Sequence, residues 1–316
     1  MSDVVCFGEL LIDFVALESG VSVGEASGFE KAPGGAPANV AVAVARLGQQ
    51  SAFLGQVGND PFGHFLADVL GAEGVDVSGL RFSDEARTML AFVSLEANGE
   101  RSFNFYRHPS ADMLIKPEDV ATDVIDNAKI FHFGSITLIN EPSRSATLKA
   151  TQHAKDQGLI ISYDPNLRRA LWENDESAKA GMLSGFDYAH IIKISDEELE
   201  FLTGDNDIQK LWHKDTKVLI ITHGSAGATA YHKQTGKLES VSYKGYEVVP
   251  VDTTGAGDSF VAGLLVGILE NPEDYIAKLE QILCFANGVG ALATTNRGAI
   301  PALPSRTQVD AFIDCN

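Results

Sequence analysis

The chain has 316 residues, 45% of them hydrophobic and without a compositional break, which suffices for the core of one large α/β domain or of two modest ones. A net charge of −19 with no long Lys/Arg run argues against a nucleic-acid partner, yet admits an anionic small molecule, which helix termini and metals bind locally. Cys6, Cys284 and Cys315 lie far apart with no C-x-x-C pair, and the N-terminus lacks the basic start and apolar stretch of a signal peptide, so a reducing cytoplasm is the expected compartment.

Residues 4–7 read as a strand apolar on both faces, and residues 14–31 follow as a strand-like, glycine-rich stretch. Pro33-Gly34-Gly35-Ala36-Pro37-Ala38-Asn39 then leads into a helix that Pro37 starts and Gly48 ends, with Arg46 as its one polar departure from alanine and valine, so it is expected to be buried. A strand at 52–54 and a helix at 61–73 come next. Residues 88–106 alternate apolar and polar around Asn98-Gly99, a tight-hairpin dipeptide. Further strands are expected at 129–133, 159–163, 189–194 and 218–221, with helices at 117–127, 142–157 and 197–203. The most apolar helix candidate, 260–269, is far short of the roughly 20 residues a bilayer requires, so no membrane partner is expected.

Two-faced apolar strands separated by helices predict a doubly wound, mostly parallel central sheet flanked by helices, in a single domain over 1–316. The two interruptions, approximately 14–31 and 88–106, are expected to pair as a small β-sheet lid; the alternative is a hairpin that extends the main sheet.

The run Asp252-Thr253-Thr254-Gly255-Ala256-Gly257-Asp258 precedes an apolar helix. Gly255, Ala256 and Gly257 let backbone approach a ligand, and the helix behind them aims free N–H groups at it, which makes an anion hole. Asp258 stands beside that hole, where a carboxylate can take a proton from an attacking hydroxyl; a capping turn for the helix's own amides explains the same residue. Asn39, in the first turn of a buried helix beside Gly34 and Gly35, suits a polyhydroxyl ligand, or equally nearby backbone.

These two stretches resemble the signature motifs of the ribokinase-like (PfkB) sugar kinases, and the resemblance runs over essentially the whole chain. Gly55-Gln56-Val57-Gly58-Asn59-Asp60-Pro61-Phe62-Gly63, Gly74-Val75-Asp76 and Thr222-His223-Gly224-Ser225-Ala226-Gly227 carry it further. The resemblance implies ATP as co-substrate, Asp258 as base, and the amides of Gly255, Ala256 and Gly257 on the transferring phosphoryl. It implies that Asp13, Gly34, Gly35 and Asn39 hold sugar hydroxyls. Lys193, Thr222, Gly224, Gly227 and Asn287 would serve the nucleotide, Asn287 at adenine. The family's N-x-x-E motif falls on Ser195 to Glu198, with Ser replacing Asn; Glu198 would act indirectly on Mg²⁺, while the same four residues form a capping box. A K⁺ site is implied at Asp252 and Thr254 with carbonyls from Ala293, Asn296, Gly298 and Ala302; an Asp252 that merely caps its turn is the alternative.

Phe105-Tyr106-Arg107-His108-Pro109-Ser110-Ala111-Asp112-Met113 and Asp164-Pro165-Asn166-Leu167-Arg168 resemble the fructokinase branch most closely, which implies fructose as acceptor. Arg107 and Arg168 would reach the substrate or lie on the surface. Ketodeoxygluconate kinases carry similar arginines, so that acid is the second candidate substrate, with ribose behind it and adenosine last. A catalytically dead sugar sensor of the same fold is the non-enzymatic alternative, against which the intact Asp258 and Gly-Ala-Gly turn argue. A homodimer through the lid is the one protein partnership the resemblance suggests. Gly8-Glu9-Leu10-Leu11 is not G-x-G-x-x-G, and no G-x-x-x-x-G-K-[ST] occurs, which sets aside dinucleotide-dependent dehydrogenases and P-loop enzymes.

Overall fold

A computed structural model describes residues 2–95, 101–234 and 236–315. The first strand, β1 (Val4–Phe7), is fully buried and sends Val4 and Cys6 into one hydrophobic core and Val5 and Phe7 into another. That alternation is what a strand covered on both faces requires. The chain then leaves the body for β2 (Leu11–Ser19) and β3 (Phe29–Gly34), returns through α1 (Ala36–Arg46), and builds β4 (Ser51–Gly58), α2 (Pro61–Ala72) and β5 (Leu80–Ser83). A second excursion forms β6 (Met89–Leu95) and β7 (Arg101–Tyr106). The expected turn at Asn98-Gly99 between them lies outside the described residues.

After the short α3 (Thr122–Ile125) the α/β alternation is regular: β8 (Ile130–Gly134), α4 (Ser143–Asp156), β9 (Ile160–Asp164), α5 (Asp175–Phe186), β10 (Ile191–Ser195), α6 (Asp196–Thr203) and β11 (Val218–Thr222). An edge hairpin, β12 (Gly227–Gln234) and β13 (Lys237–Lys244), precedes α7 (Ala256–Glu270), α8 (Leu279–Ala293) and α9 (Arg306–Asp314).

Among the described residues the main sheet has nine strands in the order β13-β12-β11-β10-β9-β8-β1-β4-β5. Pairing is parallel from β10–β11 through to β4–β5 and antiparallel at β11–β12 and β12–β13. One core joins residues of α1, α7 and α8 to one face, and the other joins residues of α4, α5 and α6 to the opposite face. The excursions form a separate four-stranded sheet, β3-β2-β6-β7, and do not extend the main sheet. Among the described residues no helix is long and apolar enough to cross a membrane.

Two expectations change in detail. The helix expected at 117–127 is a 3₁₀ turn, Pro117–Asp119, followed by α3, because Val120 adopts extended backbone and turns into the core. The lid strands begin earlier than residue 14, since β2 pairs with β3 from Leu11 onward.

Asp60 fastens this arrangement. Its Oδ1 accepts from the amides of Phe62 and Gly63, both at 3.0 Å, as the cap of α2. The same carboxylate accepts from the Thr88 amide (2.8 Å) and hydroxyl (2.9 Å), at the point where the chain enters β6. Asp60→Ala is therefore expected to lower the unfolding free energy by about 2–4 kcal/mol, through a lost cap and stranded buried donors. Urea denaturation measures it, and a loss under about 0.5 kcal/mol, the level of an ordinary surface change, contradicts this role.

Candidate active site

The strand order reverses at β1: the chain continues through β4 and β5 on one side and through β8, β9 and β10 on the other. Such a switch point opens a crevice beyond the carboxyl ends of the strands. Here it holds a cavity of about 190 Å³, lined by Glu9, Asp13, Gly35, Asn39, Asp164, Asn166, Arg168, Lys193, Thr253, Thr254, Gly255, Gly257 and Asp258. Leu11, Phe103, Phe105 and Ile136 supply its apolar wall. Strand period puts Leu11 and Asp13 on one face of β2 and Phe103 and Phe105 on one face of β7, so the small sheet roofs the cavity.

The helix α1 begins at the pair Gly35-Ala36 with Pro37 in its first turn. Gly35 has φ 116°, and a Cβ there would collide with the carbonyl of Glu9. Gly34 faces the Asp13 carboxylate, which occupies the room a side chain would need. One turn on, Asn39 Nδ2 donates to Asp258 Oδ2 at 2.8 Å; its own Oδ1 is buried with no donor among the described residues. From the other side Asn166, held at φ 48°, donates its Nδ2 to Asp258 Oδ1 at 3.3 Å. Burial pushes the Asp258 carboxyl up to about 6, helped by the charge of Asp164, while the Asn39 hydrogen bond and the charges of Arg168 and Lys193 pull it down.

Gly255, at φ 77°, opens α7. The amide of Ala256 turns inward and donates to Thr253 O at 3.3 Å, while those of Gly255, Gly257 and Asp258 have no acceptor among the described residues. Ala256 is thus engaged within the turn, because the left-handed Gly255 folds the chain back on Thr253. Its two glycine neighbours keep their donors. A Cβ on Gly257 would stand 3.3 Å from Lys193 Nζ, so the glycine also makes room for an ammonium at the mouth of the helix. Lys193 pairs with Asp164 Oδ2 at 3.1 Å. Burial alone would lower its pKa, but the charges of Asp164, Glu198 and Asp258 together with that hydrogen bond raise it, so the cation persists.

Other sequence-selected residues lie outside this cavity. Ser195 caps α6 and exchanges hydrogen bonds with Glu198, whose second oxygen accepts from Leu167 N at 2.7 Å. Thr222 ends β11 beside Ser195, and Gly224 and Gly227 shape the next turn with φ of 56° and 106°. Asn287 Nδ2 donates to the carbonyls of Tyr243 and Lys244, at 3.1 and 3.2 Å, so its amide ties α8 to β13. Asp252 accepts from the amide and hydroxyl of Thr254 (2.9 and 2.6 Å) and from Gly298 N (2.9 Å), and so performs the turn-tying its capping alternative describes. Gly298 thereby joins the 252–255 turn to the loop after Ala293, in which Asn296 is exposed and Ala302 closes a 3₁₀ turn.

Arg168 lines the cavity; Arg107 does not. The Arg107 side chain is buried, with Nε 2.8 Å from Asp112 Oδ2 and further bonds to Asn140 Oδ1 and Ile136 O, both at 3.3 Å. It faces a larger adjoining cavity of about 690 Å³. Sequence reasoning passed over Glu9, Asp164 and Asn166. The latter two sat in a stretch already singled out, where an Asn after Pro could have signalled a left-handed turn. Glu9 gave no signal beyond following a strand.

The chain matches the pfkB family of carbohydrate kinases over residues 1–306. It is 52% identical over 313 residues to fructokinase-2 of Solanum lycopersicum, covering 96% of this chain and 94% of that protein. Among solved structures it resembles the ATP-bound fructokinase of Xylella fastidiosa, at 34% identity, TM-score 0.91 and 99% of both chains. It also resembles a double mutant of the Vibrio cholerae O395 fructokinase bound to fructose, ADP and potassium, at 38% identity and TM-score 0.87 over 99% of this chain and 98% of that one. Likeness of this extent in both sequence and fold establishes that the chain belongs to the pfkB family of carbohydrate kinases.

Proposed function

We propose that the protein is an ATP-dependent fructokinase that converts fructose to fructose 6-phosphate. The observation that carries this reading is Asp258 itself: a buried carboxylate oriented by two asparagine amides, beside unpaired helix N-terminal amides and a lysine ammonium. A carboxylate with a pKa near 6 is ionised at neutral pH and basic enough to accept a hydroxyl proton. As the sugar oxygen attacks the γ-phosphorus its proton passes to Asp258. The bond from that phosphorus to the β–γ bridging oxygen breaks and ADP leaves. The amides of Gly255 and Gly257, with Lys193, face the charge on the transferring phosphoryl.

The acceptor is a neutral polyol in this reading. Asp13 and Asp258 are acceptors for hydroxyls, and of the two arginines that could serve a sugar acid only Arg168 lines the cavity, Arg107 being paired with Asp112 outside it. The known fructokinase relatives named above support fructose in particular. Thr222, Gly224, Gly227 and Asn287 would line the nucleotide. The donor set fits an indirectly held Mg²⁺: both oxygens of Glu198 already accept backbone amides, so the residue would act through water, and the ion would neutralise phosphate charge. K⁺ is read at Asp252 and Thr254, where it would steady the turn before Gly255; the potassium-bound relative supports it. A cytoplasmic location suits the three free cysteines, and dimerisation through the lid suits the exposed Leu17 and Val15 of β2.

Asp258→Asn is expected to lower kcat by at least about 10²-fold with thermal midpoint, ATP affinity and sugar affinity retained, since Asn orients and caps like Asp but takes no proton. A near-normal kcat removes Asp258 as the base. The substrate is tested by an ADP-release assay with ATP and Mg²⁺, run in K⁺ and again with a large organic cation, across fructose, ribose, ketodeoxygluconate and adenosine. Fructose in K⁺ is expected to give the highest kcat/KM. A value about tenfold higher for ketodeoxygluconate, or about 1.4 kcal/mol in transition-state binding, overturns the fructose reading.

A further inference from the structure

The chain crosses between body and lid four times, at 8–10, 34–36, 87–89 and 106–112, and buried carboxylates stand at all of these crossings. Asp60 accepts from Thr88 at the entry to β6, and Asp112 pairs with Arg107 after β7. Glu9 serves the remaining two together. It sits on the outward crossing after β1, and its Oε1 accepts at 2.8 Å from the amide of Ala36, on the inward crossing after β3. The backbones are packed as closely as the side chains: a Cβ on Gly35 would strike Glu9 O, and one on Gly8 would strike Pro37. All three carboxylates are nearly inaccessible, at 2% for Glu9, 8% for Asp60 and 1% for Asp112, yet of the three only Glu9 lines the sugar cavity.

We propose that Glu9 is a positioning residue for phosphoryl transfer, a clasp that holds the two ends of the β2–β3 hairpin together and so sets Asp13 and Gly35 against Asp258. Asp13 is carried on β2, while Gly35 and Asn39 belong to the start of α1, and the Glu9–Ala36 bond continues the Leu11–Gly34 strand pairing past the ends of the hairpin, where both segments line the cavity. Burial pushes the Glu9 carboxyl up to about 7, with the charges of Asp112 and Asp258 adding to the rise and the amide bonds opposing it. Protonated or ionised, the group keeps Oε1 as an acceptor for the Ala36 amide, so the clasp rests on the geometry of that bond. Among the described residues Thr222 and Asn287, on the nucleotide side, hydrogen-bond to Ile194, Tyr243 and Lys244 and not to Glu9 or Ala36, so loss of the clasp should be felt by the sugar alone.

This inference rests on the sugar-kinase reading, which wild-type turnover in the same assay tests by itself, so the two can fail separately. In Glu9→Leu, which removes the acceptor at similar volume, KM for the sugar is expected to rise about 10- to 100-fold, the cost of leaving the buried Ala36 amide without its acceptor, while KM for ATP stays unchanged. Water admitted beneath a loosened lid should also raise ADP release above sugar phosphate formed. Glu9→Gln, which keeps an acceptor oxygen for Ala36, should recover most of the sugar affinity. Should Glu9→Leu not fold, Glu9→Asp, one methylene too short to reach Ala36, replaces it. An equal change in both KM values, no change in either, or a Glu9→Gln as impaired as the Leu variant overturns the clasp.

Discussion

The hydrogen bond from Asn39 to Asp258 joins residues 219 apart in sequence at the first turns of two buried helices. Everything around the cavity depends on those two helix starts meeting. α1 has no polar residue in its buried run apart from Asn39, and α7 is buried over nearly its whole length, so the apolar packing between them fixes where their N-termini lie. The hydrogen bond then sets the rotation of one carboxylate. Asn166 reaches the other oxygen from the end of β9, and the three side chains together fix a group that burial alone would leave neutral more readily than ionised.

Charge in the cavity is balanced locally. Lys193 answers Asp164 and stays protonated at the mouth of α7, and Arg107 answers Asp112 beside the adjoining cavity. What faces a substrate is a set of oxygen acceptors, with Arg168, Lys193 and the amides of Gly255 and Gly257 beside them, under an apolar roof of Phe103 and Phe105. Paired buried charges of this kind contribute little net stability, because desolvation offsets attraction, but removing one partner is costly.

Much of this was legible in the sequence because it was written in residue types with few uses. The strands β1, β8, β9, β10 and β11 are apolar on both faces, which only a covered parallel sheet explains, and Gly255-Ala256-Gly257-Asp258 before an apolar helix leaves few alternatives to an anion site. The β12–β13 hairpin was not legible, since β13 lies at a sheet edge and packs against the core only through the half-buried Val241 and Tyr243. α5 was hidden for another reason: Trp172 and Tyr163 press on Gly181 and Gly185, so the helix carries glycines where its apolar stripe should be. Glu9 acts through a contact 27 residues away and Asn166 through a backbone angle, which composition and spacing do not record.

In the proposed reaction Asp258 is a base of raised pKa, ionised above about 6 and protonated, hence inactive, below it. The pH dependence of kcat/KM for the sugar tests it most directly, taken in wild type and in Glu9→Gln so that the neighbouring acid no longer titrates. Activity is expected to fall through an acid limb at about 6 in both proteins, over a range in which the thermal midpoint shows the fold intact. A limb near the ordinary value of 3.8, or one that disappears with Glu9, contradicts it.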